Sequence, residues 1–305
     1  MKILQLRPTN FNDFQGKDEL KNNLNIYIKN AKKHNLYLDH CLLYGPPGVG
    51  KTSIAQIIAN EMNVDIKIVQ GPEIKEKNDL VNILYSIKEK DILFIDEIHS
   101  INPICYELLY SIMEDFTLNI NVGKEFNTKI ISLSLPKFTL IGATTKLGNL
   151  PDPFEERFGI IERIEPYTNE EIFNVLKFSI TKCKLIVSAE VLKIIAEHSK
   201  GIPRTSKRIL SRFFDHYSHE KNNPIKILKK IGIFHMGLNQ MDINYLKVLA
   251  TNKKMGLKSL SQILNIDEKT IVNKIEPYLI KKNLIQKNTN GRNITVFGID
   301  YLEKL

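Results

Sequence analysis

The octapeptide Gly45-Pro46-Pro47-Gly48-Val49-Gly50-Lys51-Thr52 constrains this chain more than any other stretch, because it satisfies G-x-x-x-x-G-K-[ST] at every position. A glycine-rich loop turns successive backbone N–H groups onto phosphate oxygens, and a helix starting there adds the positive end of its dipole. Cys41-Leu42-Leu43-Tyr44 ahead of it reads as a short buried strand. Ser53 to Asn60 behind it reads as a helix with Ile54, Ile57 and Ile58 on one face. In this arrangement Gly45, Gly48 and Gly50 shape the cradle, Lys51 reaches the β- and γ-phosphates, and Thr52 holds Mg2+.

Hydrolysis needs a second element. Ile92-Leu93-Phe94-Ile95 has the length of a buried parallel strand and ends in Asp96-Glu97-Ile98-His99, 45 residues after Lys51. Asp96 suits the metal shell, and Glu97 suits orienting and polarising the attacking water. A third strand, Phe138 to Ala143, finishes in Thr144-Thr145, where a hydroxyl can meet the γ-phosphate or simply close a turn.

Composition restricts the remaining choices. The 305 residues are 43% hydrophobic and 25% charged, which suits a globular protein of two or three domains. No apolar stretch reaches membrane-spanning length and Met1-Lys2-Ile3-Leu4-Gln5 is no signal peptide, so the expectation is a cytoplasmic protein without a membrane role. Cys41, Cys105 and Cys183 are widely separated, which argues against a disulfide framework or zinc site.

The net charge is +9, and residues 238–305 hold eleven Lys or Arg against six Asp or Glu, or +5. That excess fits a phosphate-backbone partner or an ordinary solvated lysine surface. Only seven of the 43 basic residues are arginines, so Arg7, Arg157, Arg163, Arg204, Arg208, Arg212 and Arg292 are candidates for places that need a planar fork, although the four-residue spacing of Arg204, Arg208 and Arg212 equally suits ion pairs along one helix face.

The expected fold class is α/β, a parallel-sheet P-loop domain over 1–165, followed by a helical lid over 166–237 and a winged helix over 238–305. Within the first domain, Phe116 to Val122 alternates apolar and polar, breaks at Gly123 and resumes over Ile130 to Leu135. This reads as a β-hairpin, either projecting as a docking surface or packed on its own domain. In the lid, Gly201-Ile202-Pro203-Arg204 sets an arginine near a helix start. In the last domain, three short helices precede a polar hairpin tip over Gln286 to Asn293, with Ile294 to Phe297 strand-like beyond it. Winged helices bind DNA in many proteins and serve as protein contacts in others.

Together these residues resemble the RuvB family of AAA+ ATPases over nearly the whole chain. The likeness rests on Leu6-Arg7-Pro8, Asp39-His40, the P-loop, Leu93 to His99, Met113-Glu114-Asp115, Phe138 to Thr145, Arg157-Phe158-Gly159-Ile160, Gly201 to Arg204 and Glu276-Pro277-Tyr278-Leu279-Ile280. The resemblance implies an ATP- and Mg2+-dependent motor, a hexameric ring on double-stranded DNA that drives branch migration of four-way Holliday junctions. It implies that Leu6, Arg7 and Tyr167 frame the adenine end, and that Ser53, Glu114, Asp115 and Phe116 join the nucleotide set. It further implies that Thr144 senses the γ-phosphate, Arg157 is a finger for the neighbouring subunit's ATP, and Arg204 is the lid arginine. The hairpin over 116–135 would dock a RuvA-like partner, and Arg292 would touch DNA phosphates.

Two positions depart from the family pattern. Glu155 stands where a second arginine usually precedes the finger, and Asn290 replaces the first arginine of the wing's Arg-Gly-Arg, with Lys287 as a substitute phosphate contact. A loader-type DNA-binding switch and a protein-remodelling ATPase are the rival readings.

Overall fold

Alternation of apolar strands with one-sided helices builds the first part of the chain as a parallel sheet, as its sequence predicts. We describe a computed structural model, covering residues 2–122, 129–217, 223–252, 254–289 and 291–305. The chain divides into two units, Met1–Val187 with Gly201–Arg208, and Ser188–Lys200 with Ile209–Leu305. The helical stretch expected over 166–237 contributes to both.

In the first unit, strands β1 (Cys41–Tyr44), β2 (Ile66–Gln70), β3 (Ile92–Asp96), β6 (Thr139–Thr144) and β7 (Ile160–Arg163) form one sheet in the order β2-β3-β6-β1-β7, every pair parallel. Among the described residues, the sequence-adjacent β4 (Thr117–Val122) and β5 (Lys129–Ser134) form a two-stranded sheet of their own. Helices α1 (Asp18–Lys33), α2 (Lys51–Met62), α3 (Lys77–Leu84), α4 (Tyr106–Asp115), the short α5 (Asp152–Glu155) and α6 (Asn169–Lys182) complete the unit. Ile54, Ile57 and Ile58 of α2 are all buried, and each contributes roughly 1.5–3 kcal/mol by leaving water. The α6 start is fixed by a capping box, in which the Thr168 hydroxyl accepts from Glu171 N–H and the Glu171 carboxylate accepts from Thr168 N–H.

His40 joins two elements through its ring. The Leu140 N–H donates to Nδ1 at 2.9 Å, which places the ring proton on Nε2, 3.1 Å from the Met113 carbonyl. Burial pushes the imidazole pKa down to about 4, against weaker opposing effects of the Met113 hydrogen bond and Asp39.

The β4–β5 hairpin is registered from Thr117↔Ser134 to Val122↔Lys129 and closed at its base by Leu135 N–H on Phe116 O. Leu118 is buried in the sheet domain's core, whereas Leu133 is exposed. The expected break at Gly123 lies outside the described residues.

In the second unit, α7 (Ala189–Glu197) is capped by Ser188, whose hydroxyl accepts from Val191 N–H. Helix α8 (Pro203–Tyr217) begins in the first unit, and α9 (Pro224–Lys230) follows it in sequence. The winged helix consists of α10 (Gln240–Asn252), α11 (Leu257–Leu264), α12 (Glu268–Thr270), a π-helical turn (Ile271–Ile275) running into α13 (Glu276–Lys281), and an antiparallel sheet. That sheet has β8 (Lys254–Met255), β9 (Ile285–Asn288) and β10 (Gly291–Ile294) in the order β8-β10-β9. Its core includes Tyr245, Leu246, Leu249, Leu260, Ile271, Leu279 and Leu284.

Two sequence expectations are corrected here. Val296 and Phe297 are not strand but the start of α14 (Val296–Glu303), because the Thr295 hydroxyl caps it by accepting from Gly298 N–H at 3.0 Å. The polar stretch read as a tip is itself the pair of strands, with Arg292 opposite Lys287. Arg292 is therefore a strand residue, 9% exposed, and does not project from a loop. Its Nε lies 2.7 Å from Glu276 Oε1 on α13, a carboxylate that also accepts from the Tyr245 hydroxyl at 3.1 Å. A buried carboxylate left unpaired is costly, so it captures the nearest guanidinium. Lys287 Nζ is 3.6 Å from the same carboxylate but remains 45% exposed along its side chain.

Candidate nucleotide site

The P-loop follows β1 and enters α2 at the carboxyl end of the sheet, with Gly45 N–H donating to Thr144 O of the adjacent β6. Two of its glycines have steric reasons. Gly45 has φ +149°, and a Cβ there would stand 2.2 Å from the Ile164 carbonyl oxygen; Gly48 has φ +84°, and a Cβ there would stand 2.9 Å from Cβ of Arg204. The loop packs too closely for any side chain at either place.

A cavity of about 210 Å3 opens above this loop. It is lined by the P-loop residues Gly48, Gly50, Lys51, Thr52 and Ser53, by Asp96, Glu97 and Arg204, and by Leu6, Arg7, Phe14, Tyr167, Phe178 and Lys207. Leu6, Arg7, Gly48, Gly50, Lys51, Thr52, Ser53, Asp96, Glu97, Tyr167 and Arg204, all singled out from sequence, are among its lining residues. Lys51 is buried and donates to the carbonyls of Gly45 at 2.8 Å and Pro46 at 3.2 Å. Burial lowers its pKa, and Glu97 and Asp96 oppose that shift while Arg204 adds to it. Thr52 Oγ1 lies 3.3 Å from Asp96 Oδ2, which brings together a hydroxyl and a carboxylate, the hard oxygen donors that suit Mg2+.

Glu97 sits at φ 51° and ψ 45°, a left-handed conformation for a side chain that ordinarily avoids it. Ser100 N–H donates to its carbonyl at 2.8 Å, and its own N–H donates to Asp96 Oδ1 at 3.0 Å. The carboxylate accepts from the Thr145 hydroxyl at 3.2 Å and lies 3.3 Å from His99 Nδ1. Thr144 is fully buried, 3.0 Å from the same His99 nitrogen, and accepts from Lys146 N–H. Of the two strand-end hydroxyls it is thus Thr145, the half-buried one, that faces Glu97, while Thr144, expected at the phosphate, is enclosed and does not line the cavity. Burial lowers the His99 pKa, with Glu97 opposing and Lys146 and Lys51 reinforcing the shift.

Tyr167 packs on the P-loop: it is buried, its hydroxyl donates to Val49 O at 3.1 Å, and its N–H donates to Gly201 O at 2.8 Å. The Lys17 ammonium lies 4.5 Å from its ring centroid. Arg204 N–H donates to Gly48 O at 3.3 Å, which sets the first turn of α8 on the loop.

Three residues expected in the nucleotide set, Glu114, Asp115 and Phe116, do not line this cavity. Phe116 is a core residue, packed edge-on against Tyr37 and Phe138, and this burial removes it from the chain's own cavity. Glu114 does not line the cavity but binds Arg157, Oε1 to Nη2 at 2.8 Å, and Asp115 beside it is exposed. The Arg157 guanidinium lies 4.6 Å from the centroid of the Tyr110 ring and donates to the Pro153 carbonyl.

Sequence reasoning passed over His99, Phe14 and Lys207. His99 was in view within the Asp-Glu-Ile-His tetrad, and the short helical turn over Ile98–Ser100 is what folds it back on Glu97. Neither Phe14 nor Lys207 carries a pattern that would single it out.

Residues 6–164 match the family model described as the Holliday junction DNA helicase RuvB P-loop domain, and residues 235–303 match the RuvB C-terminal winged helix domain. The Holliday junction branch migration complex subunit RuvB of Ureaplasma parvum serovar 3 is 46% identical over 301 residues, 98% of this chain and 96% of the relative. Its counterpart in Mycoplasma genitalium is 43% identical over 302 residues, 98% of each. The structure titled Thermotoga maritima RuvB Holliday junction branch migration motor superposes with a TM-score of 0.83 at 32% identity, covering 99% of this chain and 98% of that one. With both terminal regions matched and relatives aligned end to end, this chain belongs to the RuvB family.

Proposed function

We propose that this chain is the ATPase of a branch migration complex, hydrolysing ATP to drive movement of four-way Holliday junctions in recombination and repair. The observation that carries this reading is the joining, in one chain, of a P-loop cavity with Lys51, Thr52, Asp96 and Glu97 at its edge to a winged helix. Lys51 binds β- and γ-phosphate oxygens, and Glu97 orients and polarises the attacking water. Thr52 and Asp96 would hold Mg2+, which neutralises charge on the phosphates when bound.

Arg157 does not line its own chain's cavity, and Glu114 holds it on another surface. This supports a ring in which Arg157, with Glu114 and Asp115 nearby, serves the ATP of the next subunit, and the family resemblance makes that ring a hexamer around duplex DNA. The β4–β5 hairpin is the docking element for a RuvA-like partner, and the winged helix is the DNA contact. No helix among the described residues is long and apolar enough to cross a membrane; the cytoplasm is the compartment that belongs with this reading of a DNA motor. The division into an ATPase domain, a lid and a winged helix with boundaries near 165 and 237 belongs to this same reading.

Mixing subunits tests the composite site. Arg157→Ala and Lys51→Ala are each expected to lose most ATPase activity alone, and mixed rings are expected to regain part of it, because a Lys51→Ala subunit still donates its finger to an intact neighbouring site. Absence of recovery in verified mixed rings sinks the inter-subunit role. Failure of a four-way junction with partner to stimulate wild-type hydrolysis sinks the motor reading.

A further inference from the structure

Lys207 lies on α8 one turn beyond Arg204, and both line the cavity. Its ammonium donates to the backbone carbonyl of Leu6 at 2.7 Å, 201 residues away in sequence. Leu6 belongs to the N-terminal segment that lines the cavity with Arg7, Pro8 and Phe14. The segment is anchored behind by the buried Ile3 and ahead by Asn60 Nδ2, which donates to Thr9 O at 2.7 Å. Among the described residues, the bond from Lys207 is the one side-chain hydrogen bond onto residues 3–8. The same helix meets the P-loop through Arg204 N–H on Gly48 O. One helix therefore touches both walls, the P-loop through its backbone and the N-terminal segment through a single ammonium. Burial lowers the Lys207 pKa, Cys183 opposes this and Arg7 adds to it; a desolvated ammonium makes a stronger bond to a carbonyl than a hydrated one.

We propose that Lys207 is a positioning residue that sets nucleotide affinity by clasping the Leu6 backbone and so holding the base-facing wall of the cavity against α8. This rests on reading the cavity as a nucleotide site. The clasp acts on binding and not on phosphoryl transfer, since Lys207 is a turn away from Arg204 and bonds to the N-terminal wall. Nucleotide affinity is reduced by the fraction of molecules whose wall is out of place, and the clasp raises the competent fraction.

The test compares wild type, Lys207→Met, which keeps the length of the stem and loses the ammonium, and Lys207→Arg. Three quantities are measured on the full chain: Kd for a fluorescent ATP analogue, KM and kcat for ATP, and amide hydrogen exchange without nucleotide. Lys207→Met is expected to raise Kd and KM about tenfold, the worth of one charge-assisted hydrogen bond, with kcat within about twofold. Exchange is expected to quicken at residues 3–8 and to stay unchanged at 45–52, and Lys207→Arg is expected to recover part of the affinity. Should Lys207→Met unfold, Lys207→Gln is read in its place. Unchanged Kd and KM, a fall in kcat at constant KM, or quickened exchange throughout the P-loop each overturn the clasp. A wild-type chain that does not bind the analogue overturns the nucleotide reading itself, whereas equal binding by wild type and Lys207→Met overturns the clasp alone.

Discussion

The Nδ1 of His99 stands 3.3 Å from Oε2 of Glu97, with the His99 side chain only 8% exposed. The same nitrogen is 3.0 Å from the Thr144 hydroxyl, so one ring links the carboxylate at the tip of β3 to the end of β6. Glu97 is held from two sides, by His99 and by Thr145.

This arrangement separates two kinds of loss. Glu97→Gln is expected to bind ATP normally while kcat falls by about a hundredfold or more, because an amide does not polarise water as a carboxylate does. His99→Ala leaves the carboxylate in place but loosens it, and a drop of about tenfold in kcat with little change in KM is expected. Because burial keeps the His99 pKa below its usual value, the ring is neutral at neutral pH, and any acid limb it adds to kcat lies below about pH 6.5. Single-turnover hydrolysis across pH checks both; a His99→Ala enzyme with wild-type kcat removes the ring from this role.

The hairpin offers a paired comparison. Leu133 is 47% exposed on β5 and Leu118, its cross-strand neighbour, is 3% exposed. Leu133→Ser is expected to abolish stimulation by a RuvA-like partner at unchanged basal ATPase, whereas Leu118→Ser is expected to cost about 2–4 kcal/mol of stability. Thermal melts beside ATPase assays separate the two, and equal loss of stability in both variants would show that the hairpin has no free docking face.

In the wing, two cations near Glu276 differ in their expected consequences. Arg292→Ala strands a buried carboxylate and is expected to cost about 3–5 kcal/mol of winged-helix stability. Lys287→Ala leaves Glu276 paired and is expected to reduce the slope of log DNA affinity against log salt by about one, uniformly across duplex sequences. Denaturant melts and salt titrations decide between them; a flat salt response in Lys287→Ala removes it from the DNA contact.

His40 supplies an acid-sensitive element. Its folded pKa is near 4, below the unfolded value of about 6.5, so the unfolded chain binds the extra proton between these values. The neutral ring's contribution is complete above pH 6.5 and is lost as pH falls towards 4, a swing on the order of 3 kcal/mol. Urea melts of wild type and His40→Gln from pH 7 to pH 4 are expected to converge as pH falls, and parallel curves would contradict the assignment.

Much of the fold and site was legible because periodicity and phosphate chemistry leave local traces. The P-loop, the strand ending in Asp96-Glu97 and the helix start at Pro203-Arg204 each occupy a few consecutive residues and were read where they stand. What escaped depends on partners distant in sequence. Arg292 is drawn inward by Glu276, 16 residues earlier, and the pairing of Gly291 with Asn288 already puts it into a strand. Thr144 and Thr145 differ by their distant partners, His99 for the hydroxyl that ends β6 and Glu97 for the one just beyond it. Lys207 was invisible because its partner is a main-chain oxygen, which no side-chain pattern advertises.

The walls of the nucleotide cavity are also tied main chain to main chain, by Arg204 N–H on Gly48 O and by Tyr167 N–H on Gly201 O. Gly201 has φ +71°, and a Cβ there would fall 2.5 Å from the Tyr167 carbonyl oxygen. Truncating the side chains of Arg204 or Tyr167 leaves both of these links intact. A saturation mutagenesis scan would therefore register this wiring almost solely at its glycines, and the sequence around it is free to drift without rewiring the site.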